Sequence, residues 1–364
     1  MAATAVISLP ARAQPGWFSG VMGTASLAVV AFRLPGDLTW ANSVGTVVGW
    51  VFLGLAVLSL VILLAANLAA PLPRGELAAS LGSREWGPAY AAAPGAVLAI
   101  VLALQAVAPD VSSSDVAGWL TLVICVAMVA IDLLLTLIVF TSAIINPDAL
   151  EPNALTGVWF LPQSVLLLAS AALAHLSNRP DSSIAEVAAP IAVLLLGAGL
   201  IMFLLVGAIV LDRLIAAPFL PVGGLPATWT LMSPSSAASL ALLAIPVTVP
   251  TLLGQPSTSV TPVTTLMAGA LVGFGLLWLL VVATLTARTR GQALSFSPAS
   301  WGFVFPLAAL SVATGSLANS WDAPLMVAAA ILMAILGIAV WLVVTCESFR
   351  WVRANMRGRG QGQQ

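Results

Sequence analysis

Apolar stretches of about 20 residues, almost free of charge, follow one another along this sequence and constrain its fold more than any other feature. A helix of roughly that length crosses about 30 Å of hydrocarbon, whereas the strands of an outer-membrane barrel are shorter and alternate in polarity. Only 7% of the residues are charged and 60% are hydrophobic, with a mean hydropathy of +1.09. Soluble domains usually carry about 25% charged residues. The sequence therefore predicts an all-α integral membrane protein.

Ten transmembrane helices are predicted from the apolar stretches between charged residues, prolines and glycines. They cover residues 17–33, 43–66, 89–108, 117–142, 158–176, 187–210, 229–247, 263–286, 300–318 and 324–346. We expect residues 1–346 to form a single ten-helix transmembrane domain and residues 347–364 to form a basic, disordered cytoplasmic tail. The weakly apolar N-terminus is broken by Pro10 and Pro15 and is not expected to be a cleaved signal peptide.

The arginines lie unevenly on the two sides of the predicted helices. One side carries Arg33 and Arg179, and the other carries Arg12, Arg74, Arg84, Arg213, Arg288, Arg290, Arg350, Arg353, Arg357 and Arg359. Cytoplasmic loops are enriched in basic residues. We therefore expect a multi-pass protein of the cell (inner or plasma) membrane with both termini in the cytoplasm.

Two markers recur at intervals of about 70 residues and divide the chain into five units. The first is a tryptophan at or just before the start of each odd-numbered helix: Trp17, Trp86, Trp159, Trp229 and Trp301. The second is a proline or glycine a few residues later: Gly23, Pro94, Pro162, Pro234 and Pro306. The repeat predicts five helical hairpins, each with a kink near the start of its first helix.

These helix breakers also predict which helices lie inside the protein. Irregular backbone at membrane depth is tolerated where protein or a wet cavity covers it, so the odd-numbered helices should be internal. The even-numbered helices are bulky and apolar and suit contact with lipid. Five inner and five outer helices predict a quasi-fivefold arrangement around a central pore.

The residues preceding the breakers form a candidate layer across this pore. The layer consists of Met22, Ala93, Leu161, Ser233 and Phe305, and further pore-lining candidates are Ser26, Ser164, Ser236 and Val312. One phenyl ring is large enough to close a narrow pore. From the spacing alone, however, a simple packing role for Phe305 is the preferred interpretation, and serines in membrane helices more often pack than line a path.

The polar residues of the odd-numbered helices favour anions as the cargo. These predicted helices contain hydroxyls and amides but no Asp or Glu, whereas cation paths usually contain carboxylates. Two titratable residues are candidates for proton binding or pH sensing. Asp132 lies in the middle of the fourth helix, where a structural role and proton coupling are equally supported. His175 lies near the outer end of the fifth, where capping or solvation competes with pH sensing.

Four segments resemble the slow-type anion channel, tellurite-resistance and C4-dicarboxylate transporter family, also called the voltage-dependent anion channel family. They are PGWFSGVMGTASLA (15–28), GVWFLPQSVLLLAS (157–170), LPATWTLMSPSSAASLALLA (225–244) and SPASWGFVFPLAAL (297–310). The resemblance implies ten helices as five hairpins around a pore, commonly in a homotrimer, and an inner-helix phenylalanine that closes the path. Phe305 matches that gate position, which reverses the preference for a packing role.

The resemblance leaves the cargo open among chloride, nitrate, sulfite and C4-dicarboxylates such as malate. Passive or weakly coupled anion movement through a pore gated by Phe305 is the favoured function. The alternative is a proton-coupled C4-dicarboxylate or sulfite transporter in which Asp132 or His175 carries the proton. No enzymatic activity, cofactor, metal or nucleic-acid partner is expected, since no nucleophile, base or metal-ligand cluster is evident in the sequence.

Overall fold

The computed structural model describes residues 14–33, 39–107, 114–145, 155–178, 183–216, 224–289 and 296–361. Arg12, Arg179 and Arg290, which contributed to the topology prediction, lie outside these ranges. The helices are α1 (Gly16–Phe32), α2 (Thr39–Ala69), α3 (Arg74–Leu81), α4 (Ala92–Val107), α5 (Asp115–Ile145), α6 (Leu161–Leu176), α7 (Ser183–Ala216), α8 (Leu225–Trp229), α9 (Met232–Ala244), α10 (Val249–Leu253), α11 (Thr261–Arg288), α12 (Val304–Trp321) and α13 (Pro324–Gln361).

Each of the ten predicted segments overlaps a helix of the structure. Among the described residues, nine helical segments are long and apolar enough to cross a membrane. The remaining predicted span is α1, an apolar helix of 17 residues. At 1.5 Å per residue it is about 26 Å long, slightly shorter than a typical hydrocarbon core.

Burial separates these helices into an inner and an outer group. The inner helices are α1, α4, α6, α9 and α12, and the outer helices are α2, α5, α7, α11 and α13. In the outer group, 22–28% of the residues in the most apolar window are buried, against 61–94% in the inner segments that contain α4, α6, α9 and α12. In α1 every residue from 19 to 31 is buried. The odd-numbered predicted spans are therefore the internal ones.

The inner helices pack against one another in a closed cycle. Helix α1 contacts α4, α4 contacts α6, α6 contacts α9, α9 contacts α12, and α12 contacts α1 again. Each inner helix also packs against the outer helix that follows it in the chain. We call the end of the bundle at which the inner helices finish the distal end, and the opposite end the proximal end.

The inner helices begin with irregular segments at the proximal end. Short 3-10 helices, Gly87–Ala91, Gly157–Phe160 and Pro298–Phe303, precede α4, α6 and α12, and α8 precedes α9. The repeated prolines are the second or third residues of the α-helices that follow. A proline is tolerated in the first turn of a helix, where its missing N–H costs little. The irregular backbone therefore lies before each proline, and the long α-helix begins one or two residues before the proline.

The repeated tryptophans hold these proximal segments to neighbouring elements. Nε1 of Trp159 donates a hydrogen bond to the carbonyl oxygen of Arg84 at 3.1 Å, and Nε1 of Trp229 donates to Oγ1 of Thr286 at 3.2 Å. The ring of Trp301 packs against Gly20 of α1. Trp301 thus joins the last hairpin to the first, whereas the hydrogen bond of Trp229 joins two segments of its own hairpin.

The C-terminal segment differs from the sequence prediction. Helix α13 continues to Gln361, whereas the predicted tenth span ended at residue 346 and was followed by a disordered tail. The basic segment contains no proline before residue 361, and glycine appears in it only from Gly358 onwards. Nothing in its sequence therefore terminates a helix that has already begun, because each added residue gains a backbone hydrogen bond.

Candidate functional site

A cavity of about 240 Å³ lies between the distal halves of the inner helices. All five helices contribute to its wall, which is lined by Ser26, Val29, Arg33, Ala99, Leu102, Leu168, Ala171, His175, Leu240, Leu243, Ala244, Ala309, Val312, Ser316 and Ser320. A cavity bounded by every member of a closed cycle of helices lies on the axis of that cycle.

The wall of this cavity changes in character along the axis. Its polar groups are concentrated toward the distal end, where Arg33 ends α1, His175 occupies the last turn of α6, and Ser316 and Ser320 follow on α12. Toward the proximal end the lining is aliphatic, apart from the hydroxyl of Ser26. Arg33 and His175 both line this end of the cavity. The cavity is thus basic at one end and apolar at the other.

A layer of buried residues lies one helical turn below the cavity. The most proximal lining residues of the five helices are Ser26, Ala99, Leu168, Leu240 and Ala309. Residues four positions apart lie on the same helix face, one turn apart. Counting back four positions gives the floor layer, which consists of Met22, Gly95, Ser164, Ser236 and Phe305.

The floor layer is closed in this structure. The exposed fraction is 0% for Met22, Ser164 and Ser236 and 1% for Phe305. A Cβ atom built on Gly95 would lie 2.8 Å from Cε of Met22, so these two residues of neighbouring helices are in close contact. Phe305 contributes the largest side chain of the layer.

This layer differs from the predicted one at three of its five positions. Ala93 is half-buried. Around the axis of α4 it lies roughly 120° from the lining residue Ala99 and roughly 180° from the lining residue Leu102. Gly95 occupies the inward position of α4 instead.

Leu161 and Ser233 were also predicted for this layer but lie elsewhere. They precede Ser164 and Ser236 by three residues, so they are buried about one turn further from the cavity. Met22 and Phe305 lie at the predicted level, while Ser26 and Val312 line the cavity above it.

The physical reason for the difference is that the prolines do not lie at equal depths. The floor residue precedes Pro306 by one position, follows Pro94 by one, and follows Pro162 and Pro234 by two. Alignment of the prolines in the sequence therefore does not align the helices in space. The preceding 3-10 and short α-helical segments, which differ in length, take up the offset.

Gly23, predicted as the first kink, lies inside the uninterrupted helix α1. Glycine keeps its backbone N–H, so the hydrogen bonds of the helix persist. A Cβ atom built on Gly23 would lie 2.8 Å from Cγ1 of Val304 and 3.1 Å from the backbone nitrogen of Phe305. Gly23 therefore permits the close approach of α1 to the start of α12.

The serines of the floor layer use their hydroxyls within their own helices. Oγ of Ser164 donates to the carbonyl oxygen of Phe160 at 2.8 Å, and Oγ of Ser236 donates to that of Met232 at 2.7 Å. Oγ of Ser233 has no hydrogen-bond partner among the described residues and is fully buried. The hydroxyl protons of Ser164 and Ser236 are therefore engaged within their own helices.

Asp132 lies away from the cavity, on outer helix α5. Its side chain is fully buried, and neither carboxylate oxygen has a hydrogen-bond partner among the described residues. Cys125 and Val129 are buried on the same side of α5. Of the two titratable candidates, the structure thus brings His175 to the cavity and leaves Asp132 between helices.

Most of the cavity lining, including Arg33, and the floor residue Gly95 were not recognised from the sequence as part of the site. Arg33 was counted only as a topology marker, although it follows the last turn of an inner helix, where a basic side chain suits the helix C-terminus. Gly95 follows Pro94 by one position, whereas the predicted layer residue, Ala93, precedes Pro94. The part of the chain that the structure describes contains no group of three His, Cys, Asp or Glu side chains that could hold a metal ion.

Comparison with known families agrees with this architecture. A family model described as Voltage-dependent anion channel matches residues 12–349, nearly the whole chain. Comparison with curated proteins finds no match. The matched range includes all five inner helices, the cavity and the floor layer. The chain therefore belongs to the voltage-dependent anion channel family, whose members are membrane channels and transporters.

Proposed function

We propose that the five inner helices form a central, quasi-fivefold pore that conducts small anions and is closed by Phe305. The observation that carries this proposal is the cavity: all five inner helices line it, and it ends one turn short of Phe305. The ring of Phe305 is the largest obstacle in the floor layer. Rotation of this ring would join the cavity to the proximal side.

Anions are the preferred cargo because the described residues of the cavity wall include Arg33 and His175 and no carboxylate. Opposite charge attracts ions into a low-dielectric path, and a like charge repels them. The movement is passive, down the electrochemical gradient of the anion. Chloride, nitrate, sulfite and dicarboxylates, together with tellurite resistance, remain the activities suggested by the resemblance, and a panel of these anions in proteoliposomes separates them.

In this proposal the protein lies in the cell membrane with both termini in the cytoplasm. The exposed apolar side chains of the outer helices contact lipid or, in a homotrimer, neighbouring subunits. The trimer follows from the family resemblance, since lipid covers the same side chains equally well.

Substitution of Phe305 by alanine tests the gate. We expect Phe305→Ala to increase anion flux in proteoliposomes several-fold, because it removes the ring while the surrounding helices remain. The matched control is Phe303→Ala, two residues earlier, whose ring packs against Trp229 at a centroid distance of 5.3 Å. Truncation of a buried phenylalanine usually costs about 3–5 kcal/mol, so the control variant should lose folded yield without gaining flux. Unchanged flux per folded Phe305→Ala molecule would contradict the gate.

A proton-coupled transporter of C4-dicarboxylates or sulfite is the second candidate function. It is favoured by Asp132, because a buried carboxyl without partners is expected to be neutral and to take up or release a proton when its surroundings change.

Reversal potentials in planar bilayers under an imposed proton gradient distinguish the two candidates. Passive conduction predicts a reversal potential set by the anion alone, both in the wild type and in Asp132→Asn. Coupling predicts a dependence on the proton gradient that Asp132→Asn or His175→Gln abolishes.

A further inference from the structure

We infer that the distal cavity is a binding site for a small organic monocarboxylate. The carboxylate is held at the distal end by Arg33, and the hydrocarbon chain extends toward the floor layer. This inference rests on the proposed function, since it names the class of substrate that the same path selects.

The first observation is the single permanent positive charge. Among the residues that the structure describes, Arg33 is the only arginine or lysine in the cavity wall, and no described Asp or Glu forms an ion pair with it. Its planar guanidinium presents paired N–H donors that match the two oxygens of a carboxylate. His175 supplies a ring N–H on the same cavity. One fixed charge with supporting donors suits one carboxylate.

The second observation is the apolar remainder of the cavity. Below Arg33 and His175 the wall is formed by Val29, Leu168, Leu240 and other aliphatic side chains, with Ser26 as the one polar residue near the proximal end. A second carboxylate of a C4-dicarboxylate would have to lie in this part, and a charge buried without a partner is strongly unfavourable. An ethyl or propyl chain at the same place is favoured by the hydrophobic effect.

The third observation is size. A cavity of about 240 Å³ is larger than a halide or nitrate ion needs when it pairs with Arg33 alone. An inorganic anion at this end would leave the aliphatic wall unoccupied. A three- or four-carbon monocarboxylate contacts both parts of the wall at once, whereas an inorganic anion contacts one part and a dicarboxylate places a second charge against the apolar part.

A purely structural role for Arg33 makes a different prediction. Basic residues at helix C-termini stabilise the helix by interaction with its terminal carbonyl groups. In that case replacement of Arg33 would lower thermal stability equally with and without carboxylates. The two roles are therefore separated by measuring ligand binding in addition to stability.

The experiment measures the binding of sodium acetate, propionate, butyrate, succinate and chloride to the purified full-length protein in lipid nanodiscs. Affinity is obtained from the shift in unfolding temperature at constant ionic strength. We expect butyrate to bind about tenfold more tightly than acetate, the gain for burial of two methylene groups. Succinate and chloride should bind more weakly than butyrate.

Two variants locate the site. Arg33→Gln should weaken butyrate binding about tenfold or more, through loss of a charge-assisted hydrogen bond. Val312→Ser should reduce the difference between butyrate and acetate, because it places a hydroxyl in the apolar wall. Arg74→Gln, at an exposed position in the first turn of α3, is the matched control and should leave binding unchanged.

The proposal is overturned if affinity does not rise with chain length in the wild type, if succinate or chloride binds as tightly as butyrate, or if Arg33→Gln binds butyrate normally. These measurements require no transport. If the protein binds butyrate selectively but Phe305→Ala leaves flux unchanged, the gate is refuted and the binding site stands. If Phe305→Ala increases flux but binding affinity does not rise with chain length, the binding site is refuted and the gate stands.

Discussion

At the scale of single residues, glycines decide how closely the inner helices approach. Gly16, Gly20 and Gly23 form one face of α1, and Cβ atoms built on them would come within 3 Å of Pro298, Trp301 and Val304 respectively. Small residues at helix contacts are typical of membrane proteins, where close backbone packing contributes to association. The opening motif GWFSGVMGT is thus a packing motif that sets the position of Phe305.

Substitution of Gly23 by alanine should destabilise the protein by about 1–3 kcal/mol, the usual cost of overpacking a core. The added methyl group meets Cγ1 of Val304 at 2.8 Å. Thermal unfolding in detergent measures the effect. Val304→Ala in the same background should recover part of the loss, and Gly273→Ala, where no atom lies within 4 Å, should be neutral or stabilising. Equal behaviour of the two glycine variants would disprove the packing role.

At the scale of elements, the prolines determine where the inner α-helices begin. Pro306 is the third residue of α12 and follows the 3-10 segment Pro298–Phe303, whose start is fixed by reciprocal hydrogen bonds between Ser297 and Ser300. Because a 3-10 helix has about 3.0 residues per turn and an α-helix 3.6, the transition sets the direction of Phe305.

Substitution of Pro306 by alanine should alter flux more than stability. Alanine supplies an N–H that can bond to the carbonyl oxygen of Gly302 and extend α12 backwards, which would rotate Phe305 away from the floor layer. We therefore expect higher anion flux in proteoliposomes at an almost unchanged unfolding temperature. Pro262→Ala, in the first turn of outer helix α11, is the control and should change neither. A large loss of folded protein with normal flux would contradict this role.

At the scale of the whole molecule, the inner helices run in one direction and the outer helices return. The turn between α10 and α11 therefore lies at the distal end, and α3 lies at the proximal end. The arginine distribution predicts that the proximal end faces the cytoplasm.

Labelling of introduced cysteines by an impermeant reagent in intact cells tests this topology. Thr258→Cys, exposed between α10 and α11, should react from outside, whereas Glu76→Cys, exposed on α3, should react only after permeabilisation. Cys346 is exposed and is replaced by alanine beforehand. Reaction of Glu76→Cys in sealed cells would invert the assignment.

The sequence by itself determined the helical membrane class, the family and the identity of the inner helices. Each of these depends on local properties: the length of an apolar stretch, the spacing of Trp and Pro, and the short motif around Phe305. These signals are periodic along the chain, so they can be read without knowing how helices pack.

Only the tertiary structure decided which residues meet across the bundle. The rotation and depth of each helix depend on side-chain contacts with its neighbours and on short 3-10 and α-helical segments of unequal length. For this reason Gly95 replaces Ala93 in the floor layer, and Arg33 joins His175 at one cavity although 142 residues separate them in the sequence. Whether a helix is inner or outer is a local property of the chain, whereas the rotation of the helix about its own axis is set by long-range packing.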